Sequence, residues 1–293
     1  MVARGSVFKQ ERMGELRLER KILDRRDLLV LNRNLCNGCG ICSDVCPKDS
    51  ITYSPVVIED GRLLRAPIMH IDEKTCIMCG MCSVFCPMGA LEAWVNDENI
   101  AMFVKREAIP LIKRSISINQ EMCISDCGLK CEKSCPRDAI KVFVQGDDKL
   151  VQKIVDIEID AKRCIYCKAC EFACPIGAVT VEKPFEGLIT IDTKKCPQNC
   201  QVCVDICPSK ALTLSEEGKI KASHELCIYC KACQRVCPKA AIHVSIDRIL
   251  HTTITSATWI TILEKLASFQ AASKELIAKS YEKQKSIAKN RIY

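Results

Sequence analysis

Short stretches in which apolar and polar positions alternate recur along the chain. Six of them follow a Cys-Pro pair after two intervening residues: Ser50-Ile51-Thr52, Ala90-Leu91-Glu92, Ala139-Ile140-Lys141-Val142, Ala178-Val179-Thr180-Val181, Ala211-Leu212-Thr213-Leu214 and Ala241-Ile242-His243-Val244. Another, Ile154-Val155-Asp156-Ile157-Glu158-Ile159, precedes a cysteine group. Alternation over so few residues predicts β-strands with one face turned to a core. Each unit reads as strand, cysteine loop, single helical turn and strand, and two units in succession predict a small α+β sandwich. The period changes near the C-terminus. Trp259, Ile262, Leu263, Leu266 and Phe269 recur at helical spacing, followed by Leu276, Ile277 and Tyr281, with Glu264, Lys265, Lys274 and Lys279 elsewhere around the turn. That pattern predicts an amphipathic helix suited to docking. Glu15-Leu16-Arg17-Leu18-Glu19-Arg20-Lys21-Ile22-Leu23 reads as an arm of the same kind.

The chain has 24 cysteines in 293 residues, a density found in small secreted disulfide scaffolds and in metal-cluster proteins. The length argues against the scaffold. All the cysteines fall into six groups of four. Cys36, Cys39, Cys42 and Cys46 form the first, and Cys76, Cys79, Cys82 and Cys86 the second. The fourth (Cys164, Cys167, Cys170, Cys174) and the sixth (Cys227, Cys230, Cys233, Cys237) have the same C-x2-C-x2-C-x3-C-P spacing. The third (Cys123, Cys127, Cys131, Cys135) widens two gaps, and the fifth (Cys196, Cys200, Cys203, Cys207) widens one. Adjacent thiols at such spacing would close strained disulfide rings. Zinc ligands usually come as two pairs set well apart.

These groups resemble the bacterial-type ferredoxin run, in which the fourth cysteine ligates the other cluster of a two-cluster domain. The fourth and sixth groups share Cys-Ile-Tyr-Cys-Lys-Ala-Cys, and each is preceded by an irregular group, so an irregular–regular unit occurs twice. This pairs the third group with the fourth and the fifth with the sixth, leaving the first with the second; nesting of the fourth and fifth inside a third–sixth unit is the alternative. The resemblance implies six [4Fe-4S] clusters. It also implies that Cys46 exchanges with Cys86, Cys135 with Cys174, and Cys207 with Cys237. The expected organisation is a basic arm (1–29), three ferredoxin domains (30–115, 116–185, 186–248) and a docking helix (249–293). Apolar neighbours of the cysteines, including Ile41, Val45, Met81, Phe85, Ile165, Phe172, Val202, Ile206, Ile228 and Val236, would keep water from the iron. Tyr166 and Tyr229 are expected to be structural, and Asp126 or Ser125 could replace a thiolate in the third group.

Charge narrows the partners. Residues 1–28 carry a net +3 and residues 249–293 a net +4, which accounts for the formal +7. Charge this mild and dispersed, without interleaved aromatics, gives no nucleic-acid footprint. Each oxidised cluster held by four thiolates would add about −2. No phosphate-binding or dinucleotide motif is present, and His70, His224, His243 and His251 are scattered. Cys196-x3-Cys200-x2-Cys203 matches radical-SAM spacing, but a fourth cysteine follows at Cys207. No run of about 18 apolar residues predicts a spanning helix, and Met1–Ser6 leads into charged sequence rather than a signal peptide. A cytoplasmic, non-catalytic electron carrier is the expectation, its clusters passing electrons along a line of neighbours.

Six tandem groups resemble the polyferredoxins of methanogenic archaea. With Ala257-Thr258-Trp259-Ile260-x-Ile262-Leu263-Glu264-Lys265-Leu266 in the tail, the chain is most similar to the polyferredoxin subunit family of formylmethanofuran dehydrogenase. That family often has eight groups, so six is a departure. The resemblance implies electron delivery to the subunit that reduces CO2, with other subunits of that complex and heterodisulfide reductase as partners. A hydrogenase polyferredoxin is the competing assignment. A self-contained flavin- or SAM-dependent iron–sulfur enzyme is the alternative of another class.

Overall fold

The computed structural model describes residues 6–99, 111–145, 153–253 and 257–268, with positions 277 and 280. Its strands pair in one repeating pattern. In the first repeat, β3 (Arg25–Asn32) precedes the first cysteine group and β8 (Leu91–Val95) follows the second, and the two are antiparallel with Leu31 opposite Leu91 and Leu29 opposite Ala93. Between them, β4 (Ile51–Tyr53) pairs with β7 (Met69–Ile71), and the hairpin of β5 (Val57–Glu59) and β6 (Arg62–Arg65) lies between these two in the chain. The second repeat pairs β10 (Ser115–Ile118) with β13 (Val179–Glu182), and β11 (Ile140–Gln145) with β12 (Lys153–Ile159). The third pairs β14 (Phe185–Ile191) with β17 (Ile242–Ile249), and β15 (Leu212–Leu214) with β16 (Ile220–Ala222). In each repeat the outer strands and the inner strands come from the same two adjacent groups. The strand pairing therefore excludes nesting of the fourth and fifth groups.

Single helical turns follow the cysteine loops: α1 (Ile41–Asp44), α2 (Met81–Val84), α3 (Lys130–Lys133), α4 (Ala169–Ala173), α5 (Val202–Ile206) and α6 (Ala232–Val236). This is the predicted α+β architecture in three repeats. One buried core runs through the first and third repeats and takes in Ile112, Ile165 and Cys167 of the second, which also has a small core of its own around Ile140, Cys170, Val179 and Val181.

Both ends differ from the sequence expectation. The residues read as a separate arm form β1 (Val7–Arg12) and β2 (Glu15–Ile22), which extend the β3–β8 sheet, with β9 (Glu98–Asn99) at its far edge. Leu16 and Leu18 are fully buried, and period-two alternation in Glu15-Leu16-Arg17-Leu18 serves a strand better than a helix. Asp27, buried in this sheet, takes Arg20 at 2.5 Å and Arg25 at 2.8 Å. At the other end, α7 (Ala257–Ala267) turns Trp259, Leu263 and Leu266 inward, and the Trp259 ring stacks on Phe85 at 6.2 Å. Its apolar face is thus covered by the chain itself. Phe269, Lys274, Leu276, Lys279 and Tyr281 lie outside the described residues. Among the described residues no helix is long and apolar enough to cross a membrane.

Candidate iron–sulfur centres

The regular loops share one backbone device. In Cys-x-x-Cys-x-x-Cys the residue before the second cysteine and the residue after it both take positive φ. The pairs are Gly38 and Gly40 (69° and 84°), Met78 and Gly80 (58° and 73°), Tyr166 and Lys168 (55° and 71°), and Tyr229 and Lys231 (52° and 66°). Met, Tyr and Lys are costly there, on the order of 1–3 kcal/mol each. What the conformation achieves is donor placement. The N–H groups of Gly38, Met78, Tyr166 and Tyr229 point at the first thiol of their loops, and those of Ile41, Met81, Ala169 and Ala232 at the second. For Tyr229 the N–H lies 3.4 Å from Cys227 Sγ.

A second device follows every Cys-Pro. The third residue after the cysteine is left-handed in all six groups. Asp49, Asp138, Lys210 and Ala240 have φ of 47–53°, and Gly89 and Gly177 have 62° and 67°. Its N–H closes a turn on the cysteine carbonyl at 3.3–3.5 Å. The next N–H then turns back onto the sulfur: Ser50 to Cys46 (3.4 Å), Ala90 to Cys86 (3.3 Å), Ala139 to Cys135 (3.2 Å), Ala178 to Cys174 (3.3 Å) and Ala241 to Cys237 (3.2 Å). Strand alternation alone does not show this donor role of the small residues. Their signal was a serine or alanine recurring four positions after each fourth cysteine, and all six are buried.

The thiols converge in quartets, each taking its fourth member from the paired group. Cys86 lies by Cys36, Cys39 and Cys42; Cys46 lies by Cys76, Cys79 and Cys82 around one cavity. Cys174 shares a cavity with Cys123, Cys127 and Cys131, and Cys135 with Cys164, Cys167 and Cys170. Cys237 joins Cys196, Cys200 and Cys203, and Cys207 joins Cys227, Cys230 and Cys233. The fifth group's first three cysteines thus have a fourth thiol beside them, unlike the open-iron site of radical-SAM chemistry. Asp126 is exposed and does not line the third loop's cavity.

The donor set fits a polynuclear cluster. No three candidate side chains among the described residues are arranged to hold a single ion, yet four thiols surround each cavity. In the cavity of Cys46, Cys76, Cys79 and Cys82, the buried hydroxyl of Ser50 has no protein partner. Burial is the largest cause of raised thiol pKa values, taking Cys42, Cys170, Cys203 and Cys230 to about 12. Binding iron there means displacing protons. The Tyr53 hydroxyl lies 3.0 Å from Cys42 Sγ, a contact the sequence did not signal. Of the apolar neighbours, Ile41, Val45, Phe85, Ile165, Val202, Ile206, Ile228 and Val236 are buried, Met81 is half-buried, and Phe172 is 53% exposed. Phe172 belongs to neither buried core. Tyr229 is buried, its hydroxyl donating to His224 O at 3.2 Å, and Tyr166 carries Arg114 5.5 Å above its ring.

Comparison with known proteins agrees with this geometry. The 4Fe-4S dicluster domain family matches residues 35–90, 101–178 and 193–241. A component of the selenate reductase of Mesobacillus selenatarsenatis is 27% identical over 153 residues, 45% of this chain and 52% of its own length. Polyferredoxin protein MvhB of Methanothermobacter marburgensis is 33% identical over 116 residues, 36% of this chain and 24% of its own. The chain spans about half or less of these two curated relatives. A chain in the solved formate dehydrogenase–heterodisulfide reductase–formylmethanofuran dehydrogenase complex of Methanospirillum hungatei superposes with a TM-score of 0.77 at 29% identity, over 92% of this chain and 93% of that one. Three dicluster matches spread over more than half of the chain, together with six thiol quartets, show that it belongs to the 4Fe-4S dicluster domain family as a polyferredoxin.

Proposed function

We propose that the chain carries six [4Fe-4S] clusters, one in each quartet, and serves as a non-catalytic electron-transfer subunit of a cytoplasmic formylmethanofuran dehydrogenase complex. The observation that carries the six-cluster reading is the sixfold convergence of four thiols, each with its fourth thiol borrowed from the partner group. When bound, such clusters supply one-electron storage at low potential. The chain's own residues do the rest. Buried aliphatic side chains exclude water, and backbone N–H groups aimed at sulfur stabilise the negative charge that reduction adds. The assignment to this complex, with its CO2-reducing subunit and heterodisulfide reductase as partners, is supported by near full-length likeness to a chain of the Methanospirillum complex.

Two measurements test the two levels. Anaerobically reconstituted chain should hold on the order of 24 irons with matching sulfide, about four per quartet, and should bleach reversibly with dithionite. Colourless chain, or chain loaded with zinc, overturns the cluster reading. Anaerobic affinity capture of the native chain should recover the formylmethanofuran dehydrogenase subunits; recovery of a hydrogenase without them assigns it to the competing complex.

A further inference from the structure

Polar contacts between the repeats include the fifth loop, where Asp205 accepts from Arg62 at 2.8 and 2.9 Å and the Gln201 N–H donates to the Gly61 carbonyl at 2.7 Å. Those that reach toward thiols of two repeats, however, involve three quartets. Asn37, in the first loop, donates from Nδ2 to Cys230 Sγ of the sixth loop at 3.8 Å, and the Cys39 and Cys230 thiols are neighbours across the same interface. Arg235 beside the sixth loop reaches Asp44 at 2.6 Å and the carbonyl of Gly40 at 3.4 Å. Gly40, with φ of 84°, leaves room for this approach: a Cβ there would sit 2.0 Å from the Arg235 guanidinium carbon, so the arginine would have to move.

The second repeat enters the same centre. Lys183 donates to the carbonyls of Glu225 and, at 2.9 Å, Cys227 of the sixth loop, with its ammonium 5.9 Å from the Tyr229 ring centroid. The same ammonium is close enough to Cys167 of the fourth loop to interact with it electrostatically. Arg114 does the equivalent between repeats one and two. It donates to the carbonyl of Cys86, the fourth member of the first quartet, and lies over Tyr166 of the fourth loop. Through these contacts each repeat brings one quartet against a quartet of both other repeats: the first (Cys36, Cys39, Cys42, Cys86), the fourth (Cys164, Cys167, Cys170, Cys135) and the sixth (Cys227, Cys230, Cys233, Cys207).

We infer that these three quartets form a three-way electron junction, with Asn37, Arg114 and Lys183 as positioning residues, so that the chain branches electron flow among three outer quartets instead of carrying it along a line. The inference rests on the six-cluster reading. Each exchange at the junction moves one electron between neighbouring quartets and makes or breaks no bond. The Lys183 ammonium lowers the cost of adding negative charge on both of its sides. One partner redox centre would meet each repeat at its outer quartet: Cys76, Cys79, Cys82 and Cys46; Cys123, Cys127, Cys131 and Cys174; or Cys196, Cys200, Cys203 and Cys237.

The test is an EPR-monitored redox titration of the full reconstituted chain and of Lys183→Gln, with iron counted in both. Individual waves are assigned from Cys→Ser variants that each lose one quartet. Removing the cation should move two waves, those of the fourth and sixth quartets, to lower potential by roughly tenfold in each equilibrium, about 59 mV for a one-electron couple. The outer waves should not move. With iron unchanged, a shift confined to one quartet, a shift of the fourth and fifth, or no shift overturns the junction. A second arm decides the case if Lys183→Gln loses iron. In reduced Cys39→Ser, which lacks the first quartet's cluster, magnetic broadening should narrow on the signals of the second, fourth and sixth quartets; narrowing on the second alone restores the linear order. Low iron in the unsubstituted chain would count against the six-cluster reading itself, a distinct failure.

Discussion

The sixth and third loops carry the same four thiols between the same kind of strand pair, yet their surroundings differ sharply. In the sixth, Ile228, Tyr229, Ala232 and Val236 are buried, and positive φ at Tyr229 and Lys231 aims N–H groups at Cys227 and Cys230. In the third, Met122 and Ile124 are 47% and 44% exposed. Its left-handed residues are Gly128 and Leu129, side by side before the third cysteine. Cys123 Sγ faces not a donor but the carbonyl of Asn119, at 3.6 Å. The residue added to the first gap is taken up in a 3-10 turn at Ser125–Cys127, and the one added to the second lies in the stretch of Gly128 and Leu129. The lesson is that cysteine spacing sets which thiols meet, while the residues between them set how well the added charge is stabilised and how easily water enters.

The largest test of this comparison asks whether both loops depend on a distant fourth thiol. Cys174→Ser should cost the third loop its cluster, and Cys207→Ser the sixth, each lowering iron by about four per chain. Iron analysis with EPR of the remaining signals checks this; loss of the fourth loop's signal in Cys174→Ser would break the exchange.

The next concerns lability. Against an iron chelator under anaerobic conditions, the third loop's cluster should leave first, roughly tenfold faster than the sixth's, the equivalent of about 1.4 kcal/mol in local opening. Time-resolved EPR of the two signals measures the ratio, and equal rates would remove exposure as the cause.

Alkaline pH should separate iron-free from loaded chain. Burial takes Cys230 of the sixth loop to about 12, and burial also raises Cys123 and Cys131 of the third. A thiol held neutral above its unfolded value of about 9 stabilises the iron-free fold below that pH. The contribution is lost as pH rises toward 12. Circular dichroism should therefore show iron-free chain unfolding within that window while loaded chain, whose thiolates are already bound, stays folded.

Much of this was legible in the sequence. The six groups, their pairing and the strands after each Cys-Pro all appear as read, because cysteine spacing and period-two alternation report local geometry directly. The N-terminal strands were misread because Leu16 and Leu18 fit two periods over so short a span, and only pairing with Leu31 and Leu29 of β3 decides between them. The positive φ at Met78, Tyr166 and Tyr229 was hidden because none of these residues advertises it as glycine does. The inward placement of three quartets rests on Asn37, Arg114 and Lys183, single polar residues whose partners lie 44 to 193 positions away where the bond is to the sixth loop, and no local pattern encodes that.

The smallest effect isolates donor count from exposure. Tyr53 places a hydroxyl 3.0 Å from Cys42 Sγ in the first quartet, on the inner strand β4, where burial holds the phenol protonated well above its ordinary pKa. Against a thiolate sulfur it can act only as donor. Its bond should strengthen when the quartet gains an electron, because the added charge is shared with sulfur. Tyr53→Phe keeps the ring and removes that donor without opening the loop to water. A differential loss of about 1 kcal/mol, typical of one hydrogen bond, corresponds to roughly 40 mV for a one-electron couple. The first quartet's wave should fall by that order while iron content and chelator resistance stay unchanged. If the potential holds and lability rises instead, Tyr53 acts by excluding water, and the contrast between the sixth and third loops becomes one of access rather than of hydrogen bonding.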